Sequence, residues 1–413
     1  MQLAPVVSED VSGVSSDMAS SLPAIEQPEQ QVQATRPSPQ RKEILPALTG
    51  LRCFAALNIV FFHFSNPKWF GPFAPIVDNG FTSVSFFLLM SGYILAYNYS
   101  DRAAAGQLSK RGFWIARFSR LYPIYVFALL LSLGMLWQEW GARTHGQFAL
   151  GVVLTPLLLQ GFVPAIATFL NTPAWTMSAE AAYYVIFPWV AKWKRPERIA
   201  PHLMKMAGVW ALGLVPGALY IAFNPDGIAH TDRWSYGPWL SALKYTPYSH
   251  VFGFVFGVML ADLDRMIERA ARVRLWLGIF GFGGIYALLS LGSLLPYPIM
   301  HDGLLMPLFG CIVLGLAGEN PLARVLGVRP LVFVGEASYC LYLLHFNLWN
   351  MIHGSHVLEA TGLIRFDPWI SYFLLIALSI FALYFIEKPA QRKLREWLHA
   401  TTVVKSKGPG TWD

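Results

Sequence analysis

Arg52 and His63 stand eleven residues apart in LPALTGLRCFAALNIVFFHF (45–64), an otherwise apolar run. On a helix, that spacing turns the chain by three full turns plus about 20° and rises about 16 Å, so the two side chains share a face. An ionisable group inside a membrane is costly and marks function more often than packing, which makes His63 a candidate for proton transfer. Interhelical hydrogen bonding is its structural alternative. Arg52 reads as an interfacial anchor or as a holder of an anion. The spacing puts Arg52 near the cytoplasmic end and His63 close to mid-bilayer.

Three further stretches carry chemistry. In KRGFWIARFSRLYPIYVF (110–127), Lys110, Arg111, Arg117 and Arg120 crowd one end of an apolar segment, with Arg117 and Arg120 on one helical face. Forked guanidiniums suit phosphate oxygens, although topology and anionic lipid also account for such a cluster. In NTPAWTMSAEAAYYVIFPWV (171–190), Asn171 or Thr172 and Pro173 open a helix, and Glu180 falls two turns inside it. That carboxylate requires a histidine or hydroxyl partner, or protonation between helices. In GEASYCLYLLHFNLW (335–349), Tyr339, Tyr342 and His345 recur every three residues along one side of a helix, a stripe that packing also explains. Glu387 and Pro389 read as a helix terminator.

Several signals are missing from the sequence: a phosphate-binding glycine loop, GxGxxG, HExxH, paired CxxC and GxSxG. Cys53, Cys311 and Cys340 lie in apolar surroundings without metal-ligand spacing and read as small buried hydrophobes; no metal site is expected.

These residues require a membrane to position them. Of 413 residues, 55% are hydrophobic and 13% charged, too little charge for a soluble surface of this size. The expectation is an all-α polytopic protein. About ten transmembrane helices fall at 46–66, 79–99, 114–136, 174–192, 205–223, 246–263, 275–294, 302–318, 337–353 and 369–386. A further apolar stretch, 148–169, is broken by Pro156, Gly161 and Pro164 and reads as re-entrant or interfacial. With both termini cytoplasmic, only Lys68, Arg143, Arg233, Lys244 and Arg365 of the 31 basic residues fall on the far side. The net charge of +7 is therefore topological, and no nucleic-acid partner is expected. Residues 1–44, rich in Ser, Gln, Pro and acids, read as a disordered cytoplasmic tail, 45–390 as the membrane domain and 391–413 as a cytoplasmic tail.

In this order the motifs resemble the acyltransferase-3 family of integral membrane acyltransferases, from about Leu45 to Arg392. LTGLRCFAALNIVFFHF is similar to the family's first-helix pattern of Arg, ten residues, then His. SVSFFLLMSGYILAY, FWIARFSRLYPIY, PAWTMSAEAAYYVIFP, SYCLYLLH and EKP resemble five further elements. The resemblance implies a multi-pass protein of the bacterial inner membrane, a stand-alone member without an appended hydrolase-like domain. Its implied activity is transfer of an acyl group, acetyl first, from cytoplasmic acyl-CoA to a hydroxyl of a carbohydrate or small-molecule acceptor at the outer side. Acyl-CoA is then a co-substrate and no cofactor is permanently bound. By matching position, His63 is the base and Glu180 lies at the donor or acceptor site. Arg52, Arg117 and Arg120, with Lys110 and Arg111 beside them, hold the donor. Ser85 replaces a frequent acid and Thr176 a usual serine.

Thioester chemistry fits these residues, because it requires a base for the alcohol, donors for the oxyanion and alignment of two substrates. Direct transfer is expected. A covalent relay through Ser91 or Ser178, near Trp175, is the alternative route. A transporter using the intramembrane Arg, His and Glu as a path is the alternative function.

Overall fold

The computed structural model describes residues 45–267, 270–301 and 303–406, and its regular structure there is helical. The expected tail over 1–44, and 407–413 of the C-terminal tail, lie outside the described residues.

Helix α1 (Pro46–Phe64) starts on a proline, whose missing N–H costs nothing in a first turn. It stops because Asn66 precedes Pro67 and is held extended, and the Ser65 N–H closes the last turn on the Phe61 carbonyl at 2.9 Å. His63 thus lies in the final turn, and Arg52 is the nearer of the two to the middle of α1. The expected span over 46–66 puts His63 close to mid-bilayer; the helix instead places it one residue from its last position.

The remaining helices follow in chain order. Helix α2 (Thr82–Ala104) makes a 50° bend with the preceding segment Pro67–Asp78. Helix α3 (Lys110–Leu131) is capped by Ser109, whose Oγ accepts the Gly112 N–H. Helix α4 (His145–Leu154) opens on a capping box made by Thr144 and Gln147. Beyond α4 the chain is irregular where Pro156, Gly161 and Pro164 interrupt it, so only the first part of 148–169 is a regular helix.

Then come α5 (Trp175–Val190), α6 (Ile199–Phe223), α7 (Pro238–Tyr245), α8 (Pro247–Met266) and α9 (Ala271–Leu289). They are followed by α10 (Tyr297–His301), α11 (Met306–Leu316), α12 (Arg329–Glu336), α13 (Ser338–Gly354) and α14 (Trp369–Ala382). A π-type turn over Leu383–Glu387 leads into α15 (Lys388–Ser406).

Each of the ten apolar segments overlaps one of these helices, yet fewer are long and apolar enough to cross a membrane. Among the described residues six are, or eight if each of two bent pairs forms one span. The two segments that fall short have physical reasons. Helix α5 has only 16 residues. Helix α8 carries Ser249, His250, Asp262 and Asp264 and is packed inside the bundle. The chain is a polytopic membrane protein whose outward faces carry large exposed apolar side chains such as Leu212, Phe223, Phe280, Phe373 and Phe381.

The tightest seam joins α2 to α8. A Cβ on Gly92 would meet the Phe254 carbonyl oxygen at 2.1 Å, and one on Gly257 would meet that of Leu89 at 1.9 Å. Only glycine lets these backbones touch, the small-residue packing that substitutes for hydrophobic drive within lipid. Around this seam lies one apolar core, built on α2, α8 and α11; a second joins α1, α3, α13 and α14. The two meet along Val84, Phe87 and Tyr184, which pack against both. The polar residues of the candidate site lie on that junction.

Candidate active site

Two layers of polar groups occupy the junction. The upper layer is built on the last turn of α1 and the middle of α13. The His63 and His345 rings lie 5.3 Å apart between centroids at 28°, and Phe346 stands 4.7 Å from His63. His345 is fully buried, and its Nδ1 is 2.6 Å from the Tyr342 carbonyl oxygen. A carbonyl only accepts, so Nδ1 carries the proton and Nε2 is the ring nitrogen left open. That Nε2 is buried without a partner among the described residues. A buried polar atom left open is rare, and a catalytic role is one reason for it. His63 is partly exposed, so one imidazole is fixed and its neighbour is reachable.

Arg233 reaches this layer from the 224–237 loop. Its guanidinium stacks on Phe62 at 3.8 Å, donates to the Phe62 carbonyl at 2.9 Å and lies in electrostatic range of His63. The loop is pinned by two aspartates. Asp226 accepts the Trp239 and Leu240 N–H groups and the Tyr220 hydroxyl, and Asp232 accepts the N–H groups of Trp234 and Ser235. These bonds hold both carboxyls below the usual carboxylate range, against the opposing effect of burial.

The lower layer gathers charge. Arg52, Glu180, Tyr339 and Tyr342 line a cavity of about 60 Å³ together with Thr176 and Ser338. Arg52 and Arg120 stand in electrostatic range of Glu180 and Glu387, and Arg117 in range of Glu180. No arginine of this group contacts either carboxylate within 4 Å among the described residues. Glu180 accepts instead from the Tyr184 hydroxyl at 2.7 Å, and Glu387 from the Cys340 thiol at 2.9 Å. Arg117 donates to the Tyr99 hydroxyl at 2.7 Å while its Nε is buried without a partner among the described residues. Arg120 is exposed. Three guanidiniums facing two carboxylates leave room for an anion. Tyr342 joins the layers: its ring lines the lower cavity and its carbonyl fixes His345.

The structure brings together His63 with His345, and Arg52, Arg117, Arg120 and Glu180 with Tyr339 and Tyr342. The remaining candidates lie apart. Lys110 sits over Trp189 at 4.3 Å and Arg111 is exposed at the start of α3, both outside the cavity. Ser178 is fully buried, and its Oγ accepts the Gly161 N–H at 3.1 Å. Ser91 does not line the cavity, and neither serine contacts a histidine of the upper layer among the described residues. Trp175 packs on His250 at 4.9 Å and on Tyr245, away from His63.

Sequence reasoning missed Glu387 as a member of the charge cluster. It is 5% exposed and faces Arg52 and Arg120 rather than simply ending a helix. Its place directly after an apolar run was the available signal. Arg233 was noted only as an outer-side charge, since nothing in the sequence shows the loop folding back onto α1.

Comparison with known proteins adds a family to this geometry. The acyltransferase domain of the acyltransferase-3 family matches residues 45–388. The Acyltransferase MdmB of Streptomyces mycarofaciens is 28% identical over 335 residues, covering 75% of this chain and 80% of that protein. The O-acetyltransferase OatA of Staphylococcus aureus (strain NCTC 8325 / PS 47) is 23% identical over 369 residues. That match covers 84% of this chain but 57% of OatA, so the chain spans little more than half of that relative's length. Protein 2 in picA locus of Rhizobium radiobacter is 32% identical over 175 residues, 38% of this chain. No solved structure matches the chain.

Proposed function

The chain belongs to the acyltransferase-3 family of integral membrane acyltransferases, and from that premise we propose that it moves an acyl group from cytoplasmic acyl-CoA to a hydroxyl of an exported carbohydrate or small-molecule acceptor. Acetyl is the first candidate for that group, in line with the name of the OatA relative. The observation that carries the reading is the stacked pair His63–His345, set one layer beyond the Arg52, Arg117 and Arg120 cluster and joined to it through Tyr342.

In this scheme the donor enters from the arginine side. The guanidiniums hold its anionic groups, and Glu180 balances them so that the site does not become an unrelieved cation trap. The cavity of about 60 Å³ is too small for a nucleotide, so in this scheme only the acyl end enters it and the phosphates stay outside, toward the arginines. His63 takes the proton of the acceptor hydroxyl as that oxygen bonds to the thioester carbonyl carbon. The C–S bond then breaks, and the proton held by His63 passes to the departing coenzyme thiolate. Arg233 lies in electrostatic range of His63 and is the candidate to stabilise the developing oxyanion. Direct transfer is favoured over a serine relay, because the Ser178 hydroxyl is engaged by the Gly161 amide.

The test is acyl mass. Envelope glycans and exported metabolites of cells carrying the chain, an empty vector or the His63→Ala variant are compared by mass spectrometry. The expected result is an added acyl mass with the parent chain alone. Equal acylation by the variant contradicts the assignment.

A further inference from the structure

A second polar cluster lies beyond Arg233, built on α7, α8 and α10. Lys244 is a charged side chain only 4% exposed. Its ammonium sits 3.5 Å from the Tyr236 ring centroid, 5.2 Å from that of Tyr245 and 5.4 Å from that of Tyr297. No carboxylate comes within 4 Å of it among the described residues. The nearest acid in electrostatic range, Asp232, is committed to the backbone of its own loop. Buried lysines are ordinarily paired, and a cage of three tyrosines is a weaker host than a carboxylate.

Two histidines border the same space. His250 is fixed by its Nε2, 3.1 Å from the Lys244 carbonyl oxygen. His301 is 8% exposed, stacks on Phe81 at 4.4 Å and leaves its Nε2 buried without a partner. Tyr236, Tyr245, Tyr297 and Arg233 are only half-buried and are the members of the cluster that reach the surface. Arg233 lies in electrostatic range of both Lys244 and His63 and links the cluster to the histidine pair.

We propose that Lys244, Arg233 and His301, walled by Tyr236, Tyr245 and Tyr297, form the acceptor subsite and recognise an anionic group, a carboxylate or phosphate, carried by the acceptor beside the hydroxyl that is acylated. Arg233, and Lys244 when protonated, supply the charge with no acid within 4 Å among the described residues, His301 supplies one hydrogen bond, and tyrosine rings suit the apolar face of a sugar. The proposal rests on the reading of His63 as the base, since Arg233 is what joins the two sites.

The test uses the purified full-length chain in nanodiscs and four probes: glucose, glucuronic acid, glucose 6-phosphate and inorganic phosphate. Calorimetric titration is expected to give at least tenfold tighter binding of an anionic sugar than of glucose, with the preference lost in Lys244→Met and kept in Lys244→Arg. Whichever of glucuronic acid and glucose 6-phosphate binds more tightly identifies the anion, and competition by inorganic phosphate supports a phosphate group. Equal affinity for all sugars in the parent chain, or a preference that survives in Lys244→Met, overturns the proposal. The same titration on His63→Ala separates the two readings. Anion preference beside undiminished transfer removes the base and leaves the subsite. No preference in the parent beside a dead His63→Ala removes the subsite and leaves the base.

Discussion

His345 lies against His63 ring on ring, 5.3 Å between centroids, with its Nδ1 proton spent on the Tyr342 carbonyl and its Nε2 open. A fixed imidazole beside the base can hold the acceptor hydroxyl in line for it. His345→Ala is expected to lower kcat by about 100-fold with little change in the KM for acyl-CoA, the lower end of what a positioned acid–base group supplies. Steady-state kinetics over a range of acyl-CoA concentrations check this. A rise in that KM with unchanged kcat would move His345 to the donor site.

The arginine layer has the opposite signature. Charge-assisted hydrogen bonds contribute about 1.5–3 kcal/mol each. Arg117→Ala and Arg120→Ala are therefore expected to raise the KM for acyl-CoA about 10- to 100-fold, at 1.4 kcal/mol per tenfold. Unchanged donor dependence would reduce both residues to topology determinants.

Glu387 is expected to matter for stability. Glu387→Ala strands the Cys340 thiol and leaves Arg52 and Arg120 with one balancing carboxylate instead of two. The expected cost is about 1–3 kcal/mol, read as a lower Tm in detergent, with Glu387→Gln retaining part of the loss by accepting from Cys340. Equal Tm values for parent and Glu387→Ala contradict the placement.

Much of this layer was legible because membrane residence makes polar residues conspicuous. Arg52, Glu180 and His345 each interrupt an apolar run, and such interruptions point inward. The ten helical segments were legible for the same reason, through length and hydropathy. Which of them cross fully was not, because the enclosure of α8 depends on its packing against α2 through Gly92 and Gly257. The 224–237 loop was silent for a different reason. Arg233 acquires its place through Asp226 and Asp232 bonding to backbone groups, a long-range arrangement that no helical period encodes. Lys244 looked like an ordinary outer-side charge until its tyrosine surroundings were in view.

Lys244 also predicts a pH dependence. Burial first, then Arg233, pushes its pKa down to about 7, while Asp232 opposes the shift; His250, His301, Tyr236, Tyr245 and Tyr297 complete its surroundings. The unfolded chain, with a lysine pKa near 10.4, holds the extra proton between about pH 7 and pH 10, so folding stability rises with pH across that window. Lys244→Met removes this contribution. The Tm advantage of the variant over the parent is expected to be largest at pH 7 and to shrink by pH 9. A constant difference would show that Lys244 stays charged throughout.

The measurement that bears most directly on the account is the rate of acceptor-dependent release of coenzyme thiol by the purified chain and by His63→Ala, compared at equal membrane insertion. The account predicts a fall of about 100-fold or more in the variant, the usual yield of a positioned general base. Release at the parent rate would contradict it and take proton abstraction away from His63.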